Sequence, residues 1–241
     1  MGLREGIGVG LGVALSPAFA LAAFARQARV FHPSGSCYRG TVRSVAEDQT
    51  AKRMAKRLEG HALVRMSSGT YKGVTNRPDV LGCAARFGGD AADGDMSAQG
   101  QDILMASFEK LSTIQAGIGK TDVRDYLNNT YWAVAPFRDQ DLGDVHLRIR
   151  PVPADAEGKN RAERLDWVVN HGGAILVLEA EPRGGEWLPV VEIKLTEQAQ
   201  IDQGTLRFSP WNAGRGIEPI GTLNGVRRLA YRASQLARGA G

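Results

Sequence analysis

Cysteine is scarce in this chain, which has only Cys37 and Cys83 among 241 residues. Two thiols make neither a disulfide framework nor a four-thiolate metal centre, and a reducing compartment is the simplest expectation. Histidine is nearly as scarce. His32, His61, His146 and His171 show no close His-x-His or His-x-Asp pairing, which argues against a self-contained dinuclear metal hydrolase. A Gly-x-Ser-x-Gly nucleophile elbow is missing too. Charge is nearly balanced, with 30 Lys and Arg against 26 Asp and Glu and a formal net charge of +4. Much of the excess lies in Arg227, Arg228, Arg232 and Arg238, a basic end suited to an anionic partner, carboxylate or phosphate.

Two glycine patterns look like nucleotide loops and fall short. Gly117 to Thr121 reads GIGKT, but a phosphate loop needs a glycine five residues before Gly119, where this chain has Ile114. The glycines at 6, 8, 10 and 12 follow no strand and miss the dinucleotide spacing. Gly88 to Gly100 reads as a solvated hairpin loop, because its three aspartates do not follow a calcium-loop spacing.

What is present begins with an apolar stretch from Ile7 to Ala25 that follows Arg4 and Glu5. Three readings stay open: a core or oligomer-contact helix, an export signal ending near Ala18 and Ala20, and a membrane anchor. Pro17 and the glycines argue against one straight spanning helix, and Glu5 cancels the positive start of an export signal. A packed or membrane-touching helix in a cytoplasmic protein is the expectation, with residues 1–28 as an arm and 29–241 as a single domain.

Beyond the arm, short apolar or alternating runs are divided by turn-rich stretches. They are Cys37 to Arg43, Ala62 to Ser67, Cys83 to Phe87, Asp102 to Phe108, Tyr131 to Pro136, Val145 to Pro151, Ala174 to Glu181 and Val190 to Leu195. Eight short strands at such spacing predict an antiparallel barrel or sandwich rather than a parallel sheet. Val45 to Leu58 and Arg161 to Val169 are amphipathic, and Gly225 to Arg238 reads as a basic helix. The expected class is therefore α+β, a strand-built core with peripheral helices.

On that last helix Arg227 lies four residues before Tyr231 and Arg238 seven after it, so both share nearly one face with the phenol. A neighbouring cation stabilises phenolate, the form that ligates iron, and a second arginine suits a carboxylate on that face. From spacing alone, a solvated basic helix with one half-buried tyrosine remains the favoured reading.

The wider segment changes that weighting. FSPWNAGRGIEP, from Phe208 to Pro219, resembles the Phe-x-Pro-x-Asn-x-x-x-Gly-Ile-Glu-Pro run of the catalase barrel, and RRLAY resembles that family's Arg-x-x-x-Tyr ligand motif. RVFHPSG, from Arg29 to Gly35, resembles the segment of the distal histidine. LVRMSS, from Leu63 to Ser68, resembles the Arg-x-Ser segment, and DVLGCAARF, from Asp79 to Phe87, the Asp-x-x-Gly-x-Ala-x-Lys-Phe strand; QDILMASF, from Gln101 to Phe108, resembles the strand that follows. The likeness runs from about residue 29 to the end and is loose between 110 and 185.

The resemblance implies an antiparallel catalase-type barrel holding haem b. Tyr231 would be the iron ligand with Arg227 as its charge partner, and His32 the distal acid–base oriented by Ser67. Arg29, Arg65 and Arg238 would hold the propionates. Ser107 stands where the family has a distal asparagine, and a hydroxyl has a shorter reach. The chain ends three residues after Arg238, so the wrapping segment and helical domain of full-sized catalases are expected to be missing. That leaves a peroxidase or peroxygenase acting with hydrogen peroxide or an organic hydroperoxide and an organic or lipid co-substrate. No nucleic acid partner is implied, and residues 7–25 would serve lipid contact or a homodimer. Two alternatives are a non-enzymatic haem-binding protein and a haem-free barrel with a binding or hydrolytic role.

Overall fold

The computed structural model describes residues 34–71, 73, 76–88, 99–201 and 206–220. The N-terminal apolar segment, most of the Gly88 to Gly100 loop and the Gly225 to Arg238 segment lie outside these residues.

Period-two burial builds the core. In β7 (Gly143–Pro151), Val145, Leu147 and Ile149 are buried while His146 and Arg150 are exposed between them. A pleated strand points successive side chains to opposite faces, so this alternation makes one face apolar. The alternation runs from Tyr38 onward in β1 (Gly35–Ser44) and from Ile103 in β4 (Gln101–Ala106), whereas β2 (Gly60–Ser68) and β3 (Leu81–Phe87) are buried on both faces. It also shapes β5 (Tyr131–Trp132), β8 (Ala174–Pro182) and β9 (Leu188–Ala199).

These eight strands pair antiparallel in the order β8, β9, β1, β2, β3, β4, β5, β7, and β7 pairs with β8 to close the barrel. Its interior is filled by residues such as Tyr38, Val64, Met66, Cys83, Ala85, Ile103, Leu147 and Ile193. Eight strands leave an interior just wide enough for side chains. The lumen is therefore a packed core, and chemistry belongs on the outside or at the ends.

Each predicted strand corresponds to a barrel strand; most ends shift, Val190 to Leu195 widening to Leu188–Ala199 and Asp102 to Phe108 stopping at Ala106, and one run breaks. The run from Tyr131 to Pro136 breaks after Trp132. Pro136 has no N–H for a ladder, and the chain re-enters the sheet as β6 (Phe137–Asp139) on the same edge of β7. β10 (Ile217–Pro219) then pairs with β6 outside the barrel.

Three α-helices lie among the described residues. The helix α1 (Gln49–Leu58) starts later than its apolar pattern suggests, because the Asp48 carboxylate accepts from Thr50 N and Ala51 N and sets the cap. Ala51, Met54, Ala55 and Leu58 bury one stripe of it against the core. Arg57 on the same helix pairs with Asp139 and Asp141, which ties α1 to the β6 turn. The second helix, α2 (Ile114–Lys120), follows a 3₁₀ turn, and α3 (Arg161–Asn170) is capped by Asn160. Among the described residues no helix is long and apolar enough to cross a membrane.

Candidate functional site

The outward faces of β1 to β5 carry two of the residues singled out by sequence, Arg65 and Ser67, both on β2. On β2, Val64 and Met66 point into the barrel core, so Leu63, Arg65 and Ser67 point away from it. Register then fixes their neighbours. Ser67 stands opposite Gly35 on one side and Gly82 on the other; Gly82 stands opposite Ala106, and Ala106 opposite Trp132. The adjacent row runs Cys37, Arg65, Ala84, Leu104.

Small side chains dominate the middle of these rows. With Gly82, Ala84 and Ala106 on two neighbouring strands, the side chains there rise only a short way above the sheet. Gly35 is required at its place: a Cβ would stand 2.5 Å from Met66 O and 2.9 Å from Ser67 Cβ. Even alanine cannot fit without moving backbone.

Arg65 and Ser67 flank this floor. Burial pushes the Arg65 guanidinium below its ordinary value, and Cys37 and Tyr126 oppose that shift. A cation held away from water favours anionic company. Ser67 is buried and its hydroxyl donates to Gly82 O at 3.4 Å.

Ser107 lies one residue past β4. Its Oγ accepts from Leu81 N at 2.9 Å and sits 2.8 Å from Thr121 Oγ1, which in turn donates to Gly117 O at 2.8 Å. With Thr121 donating onward, Ser107 donates to Thr121. Its hydroxyl is thus engaged as both donor and acceptor, joining the start of β3 to the end of α2. Of the other site residues expected from sequence, Arg29, His32, Arg227, Tyr231 and Arg238 lie outside the described residues.

A clamp next to the floor was not foreseen. Arg86 and Asp102 face each other outward on β3 and β4, with Nε to Oδ1 at 2.7 Å and Nη2 to Oδ2 at 2.8 Å. Asp102 also accepts from Ser209 N at 2.8 Å and Asn212 Nδ2 at 3.1 Å, and Arg86 donates to Arg207 O. The Arg86 guanidinium lies 4.9 Å from the Phe208 ring centroid. Gln101 adds a two-way bond to the backbone of Ile217. These contacts dock the FSPWNAGRGIEP segment on the ends of β3 and β4. An arginine and an aspartate inside otherwise apolar strands were the available signal.

Two cavities flank the region. One of about 350 Å³ is lined by Ser107, Phe108, Lys120, Thr121, Asn129 and Trp132 among others, and so touches the outer row at Trp132. A larger one of about 620 Å³ lies among Asp122, Arg124, Asp125, Lys159 and Arg164 and includes no residue of that row. Among the described residues no group of three His, Cys, Asp or Glu is placed to hold a metal ion. Neither the models of known protein families nor the curated proteins include a match to this sequence.

Proposed function

We propose that the protein is a haem-dependent oxidoreductase that uses hydrogen peroxide or an organic hydroperoxide, its haem b lying on the outer face of a catalase-type barrel. One observation carries this reading. Arg65 and Ser67, picked out by motif, project from one face of β2 beside a floor of Gly82, Ala84 and Ala106. Small side chains let a flat ring approach the sheet closely, and a desolvated guanidinium suits a carboxylate at its edge. The residues present therefore fit the group. The order of the RVFHPSG, LVRMSS, FSPWNAGRGIEP and RRLAY motifs supports the same assignment.

Bound there, haem would supply a ferric centre whose phenolate ligand favours peroxide cleavage over reversible oxygen carriage. The chain's own groups do the rest. Tyr231 would provide the phenolate oxygen, kept deprotonated by Arg227. Arg29, Arg65 and Arg238 would neutralise the two propionates. His32 would take a proton from one peroxide oxygen and return it to the departing one, which suits an imidazole that titrates near neutrality. Ser67 would orient that ring. Residues 7–25 would serve contact with lipid or a second copy.

Ser107 takes a different part from that of a distal asparagine. Its hydroxyl already has a donor and an acceptor, so donating to peroxide would break its bond to Thr121. Slow disproportionation with a preference for turnover in the presence of a reducing co-substrate follows. The same observation favours a second reading, a haem-binding protein without effective peroxide cleavage. Peroxide consumption with and without an added electron donor separates the two. Donor-dependent turnover that His32→Ala reduces by about 100-fold or more supports the enzyme, in the range of lost acid–base catalysis. Turnover unchanged in His32→Ala removes that residue from the mechanism.

A further inference from the structure

The cavity beside β4 has a chemistry of its own. It encloses about 350 Å³, at the lower end of the range for small-molecule sites and suited to a single-ring compound. Trp132 belongs both to its wall and to the outer row, where it pairs with Ala106. An occupant would therefore sit at the edge of the small-residue floor.

Most polar groups of the wall already have partners. Ser107 and Thr121 bond to each other, and Thr113 Oγ1 donates to Lys110 O. The Asn129 amide is held by Asp122 and Asp125 backbone, and Glu109 pairs with Lys110 at 3.3 Å. Lys120 is different. It is exposed at the rim and has no acidic partner among the described residues. What meets an occupant is the Lys120 ammonium and the Glu109 carboxylate paired with Lys110, together with the indole of Trp132 and the apolar surface of Phe108 and Ala116.

We propose that this cavity binds a small aromatic carboxylate, its ring against Trp132 and its carboxylate at Lys120 Nζ, as the reducing co-substrate of the peroxide reaction. The role in turnover rests on the haem reading, whereas the binding does not. A phenolic acid completes the balance. Two phenols each lose one electron and one proton, hydrogen peroxide takes up both pairs as its O–O bond breaks, and two waters and two phenoxyl radicals result.

Calorimetric titration of the full chain, with and without hemin, compares 4-hydroxybenzoate with 4-hydroxybenzyl alcohol. The acid is expected to bind about tenfold more tightly, the equivalent of one partly solvated charge-assisted contact. Lys120→Gln, at an exposed position, should erase that preference and leave the absorption spectrum unchanged. Equal binding of acid and alcohol, no binding of either, or a preference that survives Lys120→Gln would overturn the proposal. An acid preference without any haem spectrum keeps the binding site and sinks the haem reading; a haem spectrum without the preference does the reverse.

Discussion

Arg86 and Asp102 form a two-pronged ion pair across β3 and β4, at 2.7 and 2.8 Å, with the residues 2% and 0% exposed. From this pair hangs the segment that leads toward the C-terminus, through Ser209 N, Asn212 Nδ2 and Arg207 O. A buried pair of this kind need not add net stability over an apolar pair. Breaking one half of it leaves an uncompensated charge.

Asp102→Ala should therefore cost about 3–5 kcal/mol in urea unfolding, the range for orphaning a buried charge. It should also release residues 207–217 to proteolysis. A loss below about 1 kcal/mol would show that Arg86 finds other company at little cost.

Ser107→Ala removes the acceptor of the buried Leu81 N–H and should cost about 1–3 kcal/mol. Thr121→Ala acts on the same chain of hydroxyls, so the double variant should lose less than the sum of the singles. Strict additivity in the double-mutant cycle would mean that the two hydroxyls are not coupled.

Glu179 supplies the pH dependence. Burial works to raise its pKa, but hydrogen bonds from Arg150 and Arg148 outweigh it and hold the carboxyl below its ordinary value. Because the folded pKa lies below the unfolded one, the stabilisation is present above the unfolded value and fades as pH falls through the folded one. Glu179→Gln should lower the unfolding midpoint at pH 7, and the deficit should shrink as the pH falls below the ordinary carboxylate range, toward a pH at which the wild-type carboxyl is protonated as well. A deficit that stays constant down to that pH would contradict the role given to the charge.

Much of this architecture was legible because a barrel writes itself in period two: β7 alternates Val145, Leu147 and Ile149 with polar residues, and any register error would turn them outward. Other elements depend on partners distant in sequence. β10 is three residues long and exists through its pairing with β6, about 80 residues earlier, and α2 carries two glycines in seven residues, which hides its helical character. Motif resemblance singled out Arg65 and Ser67 one by one. Their common face with Gly82, Ala84 and Ala106 follows from strand register, which no local pattern states. Ser107 was expected to face peroxide, and its bonds to Leu81 and Thr121 became visible once β3 and α2 were placed beside it.

Haem on that outer face with Tyr231 as its iron ligand is tested by the absorption spectrum of the full chain titrated with hemin. One haem per chain is expected, with a Soret band and the charge-transfer features of ferric phenolate ligation. Tyr231→Phe should lose those features, and Arg65→Ala should weaken binding about tenfold, as the loss of one charge-assisted contact to a propionate would. Hemin that fails to bind, or a phenolate spectrum that survives Tyr231→Phe, would contradict that assignment.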